Sequence, residues 1–378
     1  MARGRIFKRQ SGYGYRVDLG PDPSTGRRRQ AQKQGFRTKR DAETALTEHL
    51  GAIRSGDSIT PSTTNLGDFL DEWLAGQSSR LKETTWESYR IVVLRVTRRI
   101  GKVKLQALTP LELERFYREL GETGGRRGGP LAAKTVRNTH TVLRKALADA
   151  ERLGLIMRNP AATARPPSAQ TKEHRTWSSD EVRDFFEHVK DDRLFGLYVL
   201  LATTGMRRGE AIGLRWRDLD LDAAELHVVQ TLASVRNEAV FSTPKTKRSR
   251  RQLYLDEGTV KVLRAHRACQ REERLAAGPA WNGEHDLVFS DELGGPLDPE
   301  SVSTDFRRKI GTAQLADIRL HDLRHTYATI ALKSGVHPKV VSERLGHASV
   351  GITLDLYSHV TPAIGRDAAD VVASKIFS

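Results

Sequence analysis

Apolar positions along this chain change their spacing three times, and each change marks an architectural boundary. Near the amino end Tyr13, Tyr15, Val17 and Leu19 recur at every second residue, the period of a half-buried strand. The stretch Pro21 to Gly26 (PDPSTG) supplies turn residues before Arg27. This pattern predicts short strands, a hairpin and a closing helix from about Lys39 to Ile53, burying Phe7, Tyr15, Phe36 and Leu46 together. Ser55 to Asn65 is polar, contains Pro61 and has no period, so it reads as a linker.

From Leu66 the spacing becomes helical. Leu66, Phe69, Leu70, Trp73 and Leu74 form one apolar stripe, and Thr84 with Glu87 predicts a capping box ahead of Tyr89, Val92, Val93 and Val96. Thr109, Pro110 and Glu112 combine an N-cap, a first-turn proline and an acidic capping partner. A fourth helix starts near Thr135, after the glycine-rich stretch Gly121 to Pro130, and turns Val142, Leu143, Ala146, Leu147 and Ala150 inward. Pro160 to Glu173 is a second linker. Beyond it, Ser178 and Glu181 cap a helix, Leu194 to Leu201 is a buried one ending at Gly205, and strands are expected at Leu226 to Val229 and Gln252 to Leu255. The basic segment Lys245 to Arg251 lies between those strands, as the edge or tip of a hairpin. Further helices begin near Glu257, Ser301, His321 and Pro338, and a short amphipathic one spans Ala368 to Ile376. The expected fold class is multidomain α+β: a small sheet-and-helix domain over 1–60, an all-helical domain over 64–162, and a mainly helical domain with a small antiparallel sheet over 172–378.

Charge narrows the choice of partner. Lys and Arg number 62 against 47 Asp and Glu in 378 residues, a surplus of +15, while 38% hydrophobic residues suffice for packed cores. Residues 1–60 alone carry thirteen Lys and Arg against six acids. Such a surplus seeks a polyanion. No apolar run approaches the roughly 20 residues of a membrane span, and no apolar stretch follows the basic start as in a secretory signal. The single cysteine, Cys269, excludes an intramolecular disulfide, a CxxC zinc ribbon and an iron–sulfur cluster. A cytoplasmic protein without a membrane partner is expected.

Neither a GxxxxGK[ST] loop, a GxGxxG turn nor a GxSxG elbow occurs, so no nucleotide cofactor or serine hydrolase chemistry is indicated. The string His321-Asp322-Leu323-Arg324-His325 distantly resembles a zinc-protease helix. Its acid is Asp, however, and Arg324 would set a fixed positive charge one turn from His321, which suits a phosphate better than a metal ion. Taken alone, His321 could satisfy a buried carbonyl and Arg324 could cap a helix end. Company changes the balance. Thr204-Gly205-Met206-Arg207-Arg208-Gly209-Glu210 ends one helix and launches Arg207 from the next, and Leu345-Gly346-His347 precedes Tyr357 by ten residues.

These boxes, TGMRRGE with trailing LRWRD, HDLRHTYAT, LGH and the later tyrosine, resemble in order and spacing those of the tyrosine recombinases, or phage-type integrases. The resemblance implies a site-specific recombinase that cuts and rejoins duplex DNA through a 3′-phosphotyrosyl intermediate, with no metal and no cofactor. It implies Tyr357 as nucleophile and Arg207 and Arg324 as grips on the non-bridging phosphate oxygens. His321 would assist proton transfer, His347 would hydrogen-bond the scissile phosphate, Lys245 would protonate the departing 5′-oxygen, and Glu210 would orient Arg207. The helical domain resembles a core-type DNA-binding domain and the amino-terminal one an arm-type domain. Arg27, Arg28, Arg29, Lys39 and Arg40 are the expected arm contacts, and Lys247, Arg248 and Arg250 those beside the catalytic lysine. Implied partners are double-stranded attachment sites, both core and arm, a homotetramer on DNA, and room for a directionality factor and a DNA-bending protein; Val371, Val372 and Ile376 form either the face that docks on a neighbouring subunit or part of an intramolecular core. The competing class is an inactive architectural or regulatory DNA-binding protein on the same fold.

Overall fold

The computed structural model describes residues 4–10, 12–21, 26, 28–54, 61–125, 127–168, 175–243, 250–347, 349–356, 373 and 376–377. The chain divides into two units, Met1–Thr171 and Lys172–Ser378.

The first unit begins with an antiparallel sheet, β1 (Gly4–Arg9), β2 (Gly12–Pro21) and β3 (Arg28–Phe36), followed by helix α1 (Lys39–Arg54). Tyr15, Val17 and Leu46 are buried between sheet and helix, with Ile6, Phe36, Ala45 and Leu50 packed around them. Phe7 does not join this core. Ile6 is the residue opposite Tyr15, so Phe7, one position on, faces the other side of the sheet, where it lies against Gly14. There the Arg9 and Arg16 guanidiniums sit 5.8 and 6.0 Å from its ring.

The second part of this unit is four helices, α2 (Leu66–Gly76), α3 (Glu83–Ile100), α4 (Pro110–Thr123) and α5 (Ala133–Arg152). Their apolar stripes meet in one core that includes Leu66, Trp73, Val93, Phe116, Tyr117 and Leu147. Thr109 and Glu112 form the reciprocal capping box. Thr84 does not. Helix α3 starts at Glu83 with Lys82 as its N-cap, so Glu87 lies a turn inside and instead binds Arg90 through two bonds of 2.6 and 2.8 Å.

The second unit is built on α6 (Ser179–Val189), which carries the expected Ser178–Glu181 capping box, and on α7 (Phe195–Thr204). Helix α7 is apolar nearly all round (FGLYVLLATT) and is therefore buried on all sides. It stops at Gly205, which has φ 65, a left-handed conformation that suits glycine. Short helix α8 (Arg208–Ile212) follows, then β4 (Leu219–Asp220), β5 (Glu225–Val228), β6 (Thr231–Val235), β7 (Glu238–Ser242) and β8 (Arg251–Tyr254). Strands β5 and β8 pair antiparallel in a sheet of order β4-β5-β8. The basic segment is not a simple tip between them, because the hairpin β6–β7 intervenes in the chain. Its two-residue turn is Arg236-Asn237, both at positive φ (53 and 68), the twist of a type I′ turn without its usual glycine. Helices α9 (Glu257–Ala277), α10 (Pro299–Thr312), α11 (Asp322–Lys333), α12 (Pro338–Leu345) and α13 (Val350–Leu356) complete the unit. The carboxy-terminal helix expected over Ala368 to Ile376 falls almost wholly outside the described residues; of its docking face Val371 and Val372 lie outside them, and Ile376 is exposed.

Candidate functional site: an arginine pocket at a helix end

The last carbonyls of any helix lack intrahelical partners. At the end of α12 three guanidiniums from distant segments supply them. Arg251 Nε donates to Arg344 O (2.5 Å), Arg324 Nη2 to Leu345 O (2.7 Å) and Arg207 Nη2 to Gly346 O (3.3 Å). The helix terminus itself carries partial negative charge, so one turn of backbone collects three cations. Gly346 closes the helix at φ 68, and His347 follows directly.

Each arginine has a second anchor. Arg324, on the first turn of α11 and 4% exposed, also donates through Nη1 to Gly205 O at 2.8 Å. Its side chain therefore does cap helix ends, at both α7 and α12. Arg207, the N-cap of α8, binds the Glu210 carboxylate at 2.8 Å through Nη1, while its backbone N–H donates to the other oxygen at 3.0 Å. Glu210 is itself buried and is bound from the far side by Arg251, at 2.9 and 3.3 Å. Burial pulls the Glu210 carboxyl upward, but the Arg251 hydrogen bond and charge, followed by Arg207, outweigh it and hold the group below the usual carboxylate range.

The imidazoles respond in the opposite sense. Burial first, then Arg324, Arg207, His325 and Arg251, push His347 down to about 4. His321, the N-cap of α11, is exposed at the rim of an open cavity yet is also lowered, by partial desolvation and then Arg324. Both rings are neutral at pH 7, so each has one N–H to give and one nitrogen to accept. His347 Nδ1 lies 2.8 Å from Thr353 Oγ1, and the His321 ring stands edge-on to His325 at 5.5 Å. Arg207 and His321 line one open cavity of about 430 Å³, together with Arg208, Arg307 and Arg319.

Of the sequence-predicted residues, Arg207, Glu210, His321, Arg324 and His347 converge here. Lys245, Lys247, Arg248 and Tyr357 lie outside the described residues, as does Arg27; Arg250 is exposed just before β8. Arg28, Arg29, Lys39 and Arg40 belong to the other unit. Arg28 is bound to Asp18 at the sheet surface, Arg29 lies in β3 opposite Gly20, and Lys39 and Arg40 open α1 as exposed residues, Lys39 at 3.5 Å from Glu43. Arg251 is the residue missed. In sequence it is one more cation of the basic segment Lys245 to Arg251, yet its side chain is 7% exposed. The strand period held the signal: Arg251 shares its face with buried Leu253, while Gln252 and Tyr254 point out. Among the described residues no group of His, Cys, Asp and Glu could hold a metal ion, and no helix is long and apolar enough to cross a membrane.

The phage integrase family model matches residues 176–363, the arm DNA-binding domain model residues 5–53, and a phage integrase N-terminal SAM-like domain model residues 65–121. A tyrosine recombinase XerC-like protein of Caldanaerobacter subterraneus is 29% identical over 357 residues, covering 89% of this chain and 90% of its own length. The Tn1549 transposon integrase, solved with transposon right end DNA, shares the fold at a TM-score of 0.69 and 18% identity, over 83% of this chain and all of that one. A lambda integrase chain, from a tetramer on a Holliday junction, superposes at 0.57 and 18% identity, over 91% of this chain and 95% of its own. With three models matched in series and a named recombinase aligned along nearly its whole length, the chain belongs to the phage integrase family of tyrosine recombinases.

Proposed function

We propose that the arginine pocket at the end of α12 grips one phosphodiester of an attachment site and that Tyr357, beyond α13, attacks it. In that step the Tyr357 oxygen bonds to phosphorus as the bond to the 5′-oxygen breaks; the phenol gives up its proton and the departing oxygen takes one. The product is a 3′-phosphotyrosyl strand and a free 5′-hydroxyl, and the reverse reaction on a second strand rejoins DNA without an external energy source. Arg207 and Arg324 would neutralise the charge that grows on the non-bridging oxygens, the role a metal ion plays in other phosphoryl transfers. His347 would donate to the same oxygens, His321 would receive the phenolic proton, Lys245 would supply one to the 5′-oxygen, and Glu210 would keep Arg207 aimed. The observation that carries this reading is the convergence of Arg207 and Arg324 on the end of α12, next to His347 and to the cavity that His321 lines.

The same reading assigns residues 1–60 to arm sites, 64–162 to core sites and 172–378 to catalysis. It makes the working assembly a homotetramer on duplex DNA in the cytoplasm, aided by a directionality factor and a DNA-bending protein. Lys247, Arg248 and Arg250 would hold backbone phosphates near the cut, and Arg27, Arg28, Arg29, Lys39 and Arg40 those of the arm site. Matches to an arm DNA-binding domain and to integrases solved on DNA support it. A nicked suicide duplex carrying the core site tests the chemistry. Wild type should form a DNA-linked protein without metal or ATP, and Tyr357→Phe should form none; an equal yield from Tyr357→Phe would end the proposal.

A further inference from the structure

Arg251 has no role in the mechanism just described, yet its side chain is only 7% exposed. Its Nη1 and Nη2 hold the two oxygens of Glu210 while its Nε holds Arg344 O, so the whole guanidinium plane is fixed on two elements at once. Glu210 in turn fixes both the backbone N–H and the Nη1 of Arg207. Arg207 differs in one respect: its side chain is 39% exposed, against 7% for Arg251. Low exposure alone does not set Arg251 apart, since Arg324 is 4% exposed; what does is that each of its three guanidinium nitrogens already donates to Glu210 or to Arg344 O.

We propose that Arg251 is a positioning residue for strand cleavage, setting the orientation of Arg207 through Glu210 and the position of the His347 turn through the last carbonyls of α12, without contacting DNA. This rests on the reading of the pocket as the cleavage site. The chain of contacts spans β8, α8 and α12, which are far apart in sequence, so Arg251 is the point where the arginine-bearing helix and the histidine-bearing turn are registered against each other. A displacement of about 1 Å at such a site can cost on the order of a hundredfold in rate. The plainer alternative is that Arg251 only neutralises a buried carboxylate.

Lysine separates the two. Arg251→Lys retains a positive charge for Glu210 but offers a point charge in place of a planar fork. It cannot hold both Glu210 oxygens and Arg344 O in fixed directions. For a folded Arg251→Lys protein we expect core-site affinity within about twofold of wild type, while the single-turnover rate of adduct formation on the nicked duplex falls about ten- to a hundredfold. Should Arg251→Lys fail to fold by circular dichroism, the double variant Glu210→Gln/Arg251→Gln removes the buried charge and keeps hydrogen-bonding groups, with the same expectation. A folded variant that forms adduct at the wild-type rate, or one whose rate loss is matched by an equal loss of DNA affinity, overturns the assignment. Wild type yielding no adduct on the same duplex would instead fell the cleavage reading itself, and this proposal with it.

Discussion

Arginine serves opposite purposes in the amino-terminal sheet and in the pocket at the end of α12. At the sheet, Arg28 has a side chain 75% exposed and meets Asp18 in water, Arg16 reaches Gln32 across the strand and lies over the Phe7 ring, and the small core beneath is built on Tyr15, Val17 and Leu46. In the pocket, Arg324 is buried and takes two main-chain carbonyls, and Arg251 is buried on a buried carboxylate. Exposed cations bind a polyanion by releasing its counterions, an effect that salt screens and that tolerates imprecise geometry. Cations whose directions are fixed by folding act on charge that appears at one atom, because no reorganisation is needed when it appears. On the proposed function one fold holds a surface that supplies affinity and a pocket that supplies direction, and the two should fail differently when cut back.

Arg324→Ala should do the greatest harm. It removes one proposed phosphate grip and orphans Gly205 O and Leu345 O, carbonyls that close α7 and α12. Loss of a comparable donor lowers rates about 10² to 10³-fold, and two buried carbonyls without partners cost about 1–3 kcal/mol each. We expect adduct formation to fall by at least the lower of those factors and the urea midpoint to drop together with it. Full stability with lost activity would mean that the carbonyls find other donors and that Arg324 is not part of the scaffold.

How much of this was legible before folding depends on whether the signal is local. Helix α7 and its stop at Gly205 could be read because an all-apolar stretch ending in glycine has few alternatives. The Ser178 and Thr109 capping boxes could be read because four consecutive residues contain the whole device; Thr84 and Glu87 matched the same pattern and failed because an earlier helix start moved them inside. Phe7 was placed on the wrong face because register, not strand period, decides which side a residue takes. The β6–β7 hairpin escaped because Arg236-Asn237 carries no glycine to announce its turn. Arg251 escaped for the opposite reason: it ends a basic segment, so one enclosed cation is hidden among several. The meeting of Arg207, Arg324 and His347 has no local signal, and only likeness to a family of known boxes suggested it.

Acid should also separate the two regions, with a smaller effect. An unfolded chain protonates His347 near its ordinary value of about 6.5, whereas the folded pocket delays this to about 4. Between those values the unfolded state binds the extra proton, so the stability due to a neutral His347 is complete above pH 6.5 and is lost progressively as the pH falls to 4. His321, exposed at the open cavity but lowered too, adds to the loss in the same direction. Urea midpoints measured for residues 1–378 from pH 7.5 to 4 should therefore fall, and His347→Gln, which keeps a partner for Thr353, should flatten the slope. Parallel slopes for the two proteins would show that the guanidiniums do not act on His347 as their positions imply.

The least disruptive change is expected at the sheet. Arg28→Ala removes a solvent-exposed pair with Asp18, and exposed pairs contribute little to folding because water and salt compete for both charges. The thermal midpoint should not move measurably. If Arg28 meets an arm-site phosphate, its removal should weaken arm-site binding at low salt and reduce the slope of log affinity against log salt by about 0.9, one released counterion. Cleavage of a core-site suicide duplex should be unchanged, since Arg28 pairs with Asp18 within its own sheet. An unaltered salt slope would remove Arg28 from the proposed contact set, while a fall in core-site cleavage would break the division of labour between an affinity surface and a directional pocket.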